Sequence, residues 1–211
     1  MIVAIGRELG AGGREIGERV AAALGSELLD NQIVDLVAAR IGAPAAYVQE
    51  RDEHVEGFAD RLFRLITAAY PESLGTTDMP DWSEERLVKL TATIIEERST
   101  QASLVVMGRG APMLLKDRSD ALRVFVTAPL AARVKRLQER LDYSKETAER
   151  EIRKSDQHRS AYMQQYYRTQ WQDPHNYDLV LNTARIGVAG AAELIARCAQ
   201  RLQRPANGQN V

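Results

Sequence analysis

The chain is expected to fold as an α/β protein, a parallel sheet sandwiched between layers of helices, and three features of its sequence say so. Short β-rich runs alternate with longer helical patterns. The runs are continuously apolar, as strands buried on both faces are. A glycine-rich turn joins the first run to an amphipathic stretch, the start of a βαβ unit.

The strand candidates are Ile2–Ile5, Glu27–Leu29, Leu104–Met107, Leu122–Val126 and Asp178–Leu181. After the first, a helix carries Ile16, Val20, Ala23 and Leu24 on one face, with Gly25 where a C-terminal cap belongs. About seventy residues of helical pattern follow, roughly 31–101, broken at Pro71–Gly75 and Asp78–Asp81. That is too long for a simple crossover and reads as a helical insertion over the carboxyl edge of the sheet, where ligands of such folds bind. Pro129 opens a helix with Leu130, Val134, Leu137 and Leu141 at helical spacing, while Arg133, Lys135, Arg136 and Arg140 crowd its other sides. Ser144 is placed to cap a long polar helix through about Tyr167, rich in cations, which need not pack tightly. A last helix with Val188, Ala191, Ile195, Cys198 and Leu202 closes a single domain over 1–203, and 204–211 reads as a frayed tail.

With 211 residues and a net charge of −1, the chain can bury one core and offers no generally basic surface for nucleic acid, so a small ligand is the expected partner. Cys198 is the only cysteine, which excludes an intrachain disulfide and a thiolate metal cluster. His54, His158 and His175 show no metal-ligand spacing. No apolar run approaches a membrane span and the chain enters a strand without a signal segment, so a cytoplasmic location is expected. Wide apolar faces on Phe58–Tyr70 and Glu84–Arg98 could bury against each other or against a second subunit, the latter giving a homodimer.

The chemistry centres on Gly6–Gly17. A glycine turn between a buried strand and a helix aims unpaired N–H groups outward at the positive end of the helix dipole, which suits a phosphate. The usual pattern is G-x-x-x-x-G-K-[ST], with lysine on the transferred phosphate and the hydroxyl on Mg²⁺. Aligning Gly12 with the second glycine puts Arg7 at the first, Gly13 at the lysine and Arg14 at the hydroxyl. The alternative is a turn built only for tight packing. Three glycines within four positions, and an arginine in the first helical turn, favour the phosphate, with Arg14 supplying the missing charge.

Residues 6–17 resemble the loop of the cytidylate kinase-like proteins, a branch of the P-loop nucleoside monophosphate kinases, which reads close to S-R-E-[FY]-G-S-G-G-R-E-I. Leu29-Asp30, Val105–Ala111, Val124–Pro129 and above all Asp173–Thr183 are similar to further blocks of that family. The resemblance implies a three-layer P-loop kinase fold with a five-stranded parallel sheet, and ATP phosphates on Gly10, Ala11, Gly12, Gly13, Arg14 and Glu15. It also implies a monophosphate site under the insertion and a basic lid at about 142–176. CMP or dCMP is then the first acceptor to test, with Mg²⁺ as the metal. The family's G-R-D turn is matched at Gly108-Arg109-Gly110 without its aspartate, and its R-D-x-x-D-x-x-R segment at Asp156 and Arg159, with Arg153 one position off.

The acceptor residues are accordingly Asp30, Arg109, Asp156 and Arg159, the catalytic cations Arg14, Arg153 and Arg159, and the lid-side contacts to ATP Arg133 and Arg136. Simpler readings stay open. Asp30 could cap the helix after it, Arg109 could close a strand end, Asp156 and Arg159 could form a surface ion pair at i, i+3, and Tyr162, Tyr166, Tyr167 and Trp171 could pack rather than stack on a base. Two other functions compete with the kinase: a nucleotide-binding regulatory protein without transfer, and a kinase for a small non-nucleotide metabolite.

Overall fold

A computed structural model of the chain describes residues 1–40 and 84–203. The breaks at Pro71–Gly75 and Asp78–Asp81, the apolar face of Phe58–Tyr70 and the tail at 204–211 lie outside the described residues. Two compact units are present, 1–29 with 99–211, and 30–98.

The first unit is built on strands β1 (Ile2–Arg7), β2 (Glu27–Leu29), β3 (Leu104–Met107), β4 (Ala121–Thr127) and β5 (Leu179–Asn182). They form one parallel sheet in the order β2-β3-β1-β4-β5, with Ile2 opposite both Leu104 and Ala121. β1 is central because it is apolar on both faces, and Ile2, Val3, Ala4 and Ile5 are fully buried. β5 lies at the edge, where its side chains alternate between half-buried and exposed. Helix α1 (Gly13–Leu24) and the last helix (Thr183–Gln203) cover one face: Ile16, Val20, Ala191 and Ile195 pack on Val3, Ile5, Val105 and Val124. On the other face Phe125 meets Met113, Met163 and Trp171.

The second unit contains α2 (Gln32–Arg40) and most of α3 (Glu84–Gln101). Their buried side chains include Ile33, Val37, Leu87 and Ile95, and Arg40 pairs with Glu97 at 2.6 Å. The insertion expected over 31–101 falls on this unit.

Between β3 and β4 lies the short α4 (Ala111–Leu114), followed after β4 by α5 (Leu130–Leu141), α6 (Lys145–Tyr167) and a 3-10 turn at Pro174–Asn176, with α7 as the last helix (Thr183–Gln203). Gly25 caps α1 in the left-handed conformation, and Ser144 caps α6 by accepting from the Thr147 N–H at 3.1 Å.

Four apolar expectations need correction. Ala21 rather than Ala23 completes the buried face of α1, and Leu130 and Leu202 are 45% and 51% exposed. α6 also packs firmly: Ala148 and Ile152 lie against Val134 and Leu137 of α5, and Met163 joins the aromatic cluster near its C-terminus. Leu130 is displaced outward because Arg133, three residues on, takes the inner position.

Candidate active site

The glycine loop leaves the carboxyl end of β1 between the ends of β3 and β4, the crevice in which parallel α/β sheets bind ligands. Its conformation is set from outside by side chains that take its carbonyls in turn. Arg133 Nε donates to Leu9 O at 2.7 Å, Arg136 Nη1 to Gly10 O at 2.6 Å, and Thr183 Oγ1 to Ala11 O at 2.8 Å. With these carbonyls engaged on α5 and α7, the first N–H groups of α1, which have no intrahelical partner, are left to the crevice side.

Each loop glycine also answers to packing. Gly10 and Gly12 have φ of 80° and 85°, and a Cβ on them would lie 2.8 Å from Arg133 O and 2.6 Å from Val188 Cγ2. Tight packing therefore accounts for these glycines, and the case for a phosphate rests on the charges around them. Gly12→Ala is expected to destabilise by about 1–3 kcal/mol through left-handed strain, with roughly 1–3 kcal/mol more through overpacking. Val188→Ala should recover only the second part, which a double-mutant cycle by chemical denaturation will read; full recovery would mean that the backbone is unstrained.

The carboxylate that locks the loop is one that sequence reasoning missed. Glu8 is 6% exposed, and its Oε2 accepts from Thr127 Oγ1 at 2.6 Å and from the Ala128 N–H at 3.1 Å. Its Oε1 accepts from Gln172 Nε2 at 2.8 Å and lies 3.5 Å from Arg133 Nη1. Arg133, only 5% exposed, reaches on to Asp156 with Nη2 at 2.7 and 2.8 Å from the two carboxylate oxygens. Burial outweighs this ion pair and holds the Asp156 carboxyl above its ordinary range. Arg133 and Asp156 thus tie α5, α6 and the loop together, and Arg136 belongs to the same support.

Beside this scaffold lie three further arginines, Arg7, Arg109 and Arg159, the last within reach of the Asp156 charge. The turn Gly108-Arg109-Gly110 is left-handed at three successive residues, φ 71°, 58° and 68°. Arg109 pays for that conformation in strain, and such outliers cluster at ligand sites. A side chain on Gly110 would collide with the Tyr167 ring, and one on Gly108 with the Arg7 guanidinium. Arg159, from α6, has its Nη1 buried with no hydrogen-bond partner, and its Cζ sits 5.9 Å from the centre of the Trp171 ring. Burial, and then the nearby charge of Arg7, push the Arg159 guanidinium down to about 9, with Arg133 and Arg109 acting the same way.

The remaining expected residues fall elsewhere. Arg14 is 61% exposed and its Nε donates to Glu18 at 3.2 Å, Glu15 accepts from Arg19 at 2.9 Å, and Arg153 pairs with Glu149 at 3.6 Å. These are i, i+4 pairs on helix surfaces. Asp30, buried, belongs to the second unit, where its N–H donates to Gln32 Oε1 at 3.2 Å. Tyr162, Tyr167 and Trp171 pack around Phe125 and Met163, and among the described residues no three His, Cys, Asp or Glu side chains gather as a metal site.

Residues 173–183, the most distinctive block of the sequence, have local tasks. Asp173 caps the 3-10 turn by accepting from the His175 N–H at 3.0 Å, and Asp178 holds Arg123 of β4 at 2.7 Å. Tyr177 donates to Trp171 O, and Thr183 reaches the glycine loop.

Residues 2–185 match the family model described as the cytidylate kinase-like family. A cytidylate kinase of Haloquadratum walsbyi is 32% identical over 139 residues, 63% of this chain and 68% of that protein. A cytidylate kinase of Natronomonas pharaonis is 30% identical over 92 residues, 44% of this chain and 47% of that protein, so the chain spans about half the length of this relative. Among solved structures, an uncharacterized protein from Eubacterium ventriosum aligns with a TM-score of 0.63 at 23% identity, covering 97% of this chain and 99% of that one. A shikimate kinase from Bacteroides thetaiotaomicron aligns at 0.52 and 13% identity over 95% and 98%. These two likenesses are of fold, the three-layer fold of P-loop kinases. The glycine loop follows β1, the Gly108–Gly110 turn follows β3 and the 173–183 block contains β5 of the same sheet; all three fall within one family match, and the chain belongs to the cytidylate kinase-like family.

Proposed function

We propose that the protein transfers the γ-phosphoryl group of ATP to a nucleoside monophosphate, with CMP or dCMP as the first acceptors to test. The observation that supports this most directly is the convergence of Arg7, Arg109 and Arg159 beside the glycine loop, with the buried Nη1 of Arg159 lacking a hydrogen-bond partner that an anionic ligand would supply. Phosphoryl transfer needs little covalent chemistry from the protein; it needs positioning and neutralisation of charge on in-line oxygens.

In this reading the main chain of Gly10–Glu15 receives the ATP phosphates, and Arg109 and Arg159 face the acceptor phosphate and the transferred group. Arg133, Arg136, Glu8 and Asp156 hold the loop and the arginines in place. Mg²⁺, when bound with the nucleotide, would supply further neutralisation; such an ion is held largely by phosphates and water with one or two carboxylates.

Initial rates with MgATP over several monophosphates and small hydroxylated metabolites, beside calorimetry with ATP, test the proposal. Binding without turnover on any acceptor would select the regulatory reading, which the replaced lysine favours. A metabolite preferred over every monophosphate would select a different acceptor class.

The lowered Arg159 group sets a pH dependence. Anion binding favours the charged guanidinium, so affinity for ATP should be level below pH 9. Above that it should fall, by up to about tenfold per pH unit, as the free protein loses the proton that the complex needs. Calorimetry from pH 7 to 10 reads this, and a flat profile across pH 9 would take Arg159 out of the phosphate site.

A further inference from the structure

We propose that Arg7 takes over the task of the lysine that the loop lacks, its guanidinium contacting the phosphoryl group in transfer. The inference rests on the phosphotransferase reading and names the cation within it. Arg7 is the last residue of β1, at the carboxyl edge of the sheet where the glycine loop begins. With Gly12 on the second glycine of the phosphate-loop pattern, Arg7 stands where the first glycine belongs and Gly13 where the lysine belongs.

These two departures are one event in space. A Cβ on Gly13 would lie 2.7 Å from Arg7 Cγ and 2.8 Å from Arg7 Cβ, so a side chain at position 7 requires none at position 13. The Arg7 stem crosses the start of α1 in the space a lysine stem would need. Its guanidinium then arrives at Gly108, whose missing Cβ makes room for Nη1. That end point lies between the loop, which would hold the donor, and the Gly108–Gly110 turn, which would face the acceptor.

A second observation points to an anion at the same place. Arg159 brings a buried Nη1 without a hydrogen-bond partner, and Arg7 is the first of the neighbouring charges that burden its guanidinium. A buried guanidinium nitrogen without a hydrogen-bond partner, beside a second guanidinium, suits an oxyanion. Arg14 offers no such placement, being exposed and engaged with Glu18. In the transfer the bond from the γ-phosphorus to the ADP oxygen breaks, and a bond to the acceptor oxygen forms. ADP keeps the electron pair of the broken bond, and Arg7 stays protonated, supplying charge and hydrogen bonds only.

The test compares Arg7→Met, Arg7→Lys, Arg14→Ala and the exchange Arg7→Gly/Gly13→Lys, which restores the usual pattern, by thermal melting, calorimetry with ATP and initial rates on the best acceptor. Arg7→Met should stay folded and lose roughly 10²–10³-fold in kcat. Arg7→Lys should keep more activity than Arg7→Met, and the exchange should regain at least about tenfold over Arg7→Met, or 1.4 kcal/mol of barrier. Arg7→Met at parental kcat, or Arg14→Ala losing the rate while Arg7→Met keeps it, overturns the inference and leaves the phosphotransferase reading standing. If the parent binds ATP but phosphorylates nothing, the transfer reading fails, and weaker ATP binding in Arg7→Met then supports only the phosphate contact. A parent that binds no ATP removes both.

Discussion

Arg133→Ala is expected to lower the stability of the protein by about 3–5 kcal/mol, the usual cost of removing one partner from a buried ion pair. The guanidinium is one of the few buried charges among the described residues, and it bonds to Leu9 O and both oxygens of Asp156 while lying against Glu8. The consequences of losing it are unequal. Glu8 keeps Thr127, Ala128 and Gln172, so it remains satisfied, whereas Asp156 loses both its bonds and Leu9 O loses its side-chain donor. For a chain of this size the loss corresponds to roughly 6–20 °C in Tm. Arg133→Met/Asp156→Leu should recover part of it, because no carboxylate is then left unpaired, but not all, because Leu9 O still lacks its partner. A melting temperature within about 2 °C of the parent in Arg133→Ala would show that water replaces the network at little cost.

Arg159→Met is expected to do the opposite, weakening function while leaving stability unchanged or improved. Burial and the charge of Arg7 outweigh the attraction of Asp156, and one nitrogen is unpartnered, so the folded protein holds this cation at a cost. Methionine keeps the apolar stem against Trp171 and removes the charge. Under the proposed function kcat should fall roughly 10²–10³-fold, as for loss of one donor to the developing charge. For each kcal/mol of repulsion relieved, Tm should rise about 2–4 °C. Melting and initial rates on the same preparation decide it: a lower Tm with unchanged kcat would make Arg159 a packing residue. Opposite stability signs for two arginines on neighbouring helices would separate the scaffold from the site that it supports.

Much of the scaffold was legible in the chain. Five strands were placed within two residues of their observed ends, because buried parallel strands are continuously apolar and are punctuated by glycine and capping residues. Caps at Gly25 and Ser144 were legible for the same local reason. Legibility failed where a charged residue took an inward position. The spacing of α5 placed Leu130 inside and left Arg133 among the outer cations, whereas Arg133 is buried and Leu130 is exposed. A helical pattern counts apolar residues, and it carries no sign that a buried guanidinium has Asp156, twenty-three residues on, and a loop carbonyl waiting for it.

The glycine loop shows the same division. Composition, periodicity and motif spacing by themselves determined a parallel α/β fold, the position of a phosphate-type loop and the loss of its lysine, since each of these follows from residues close together in the chain. Which cation stands in for the lysine is a matter of three-dimensional placement. Arg14 is nearest in sequence, but a helix carries its side chain to Glu18 one turn on. Arg7, counted as a failed glycine, lies across Gly13 and reaches the turn after β3, because a strand end and a helix start that follow each other in sequence face each other across the loop. Only the tertiary structure could decide that, for the strand, loop and turn that define the space come together from three separate stretches of the chain.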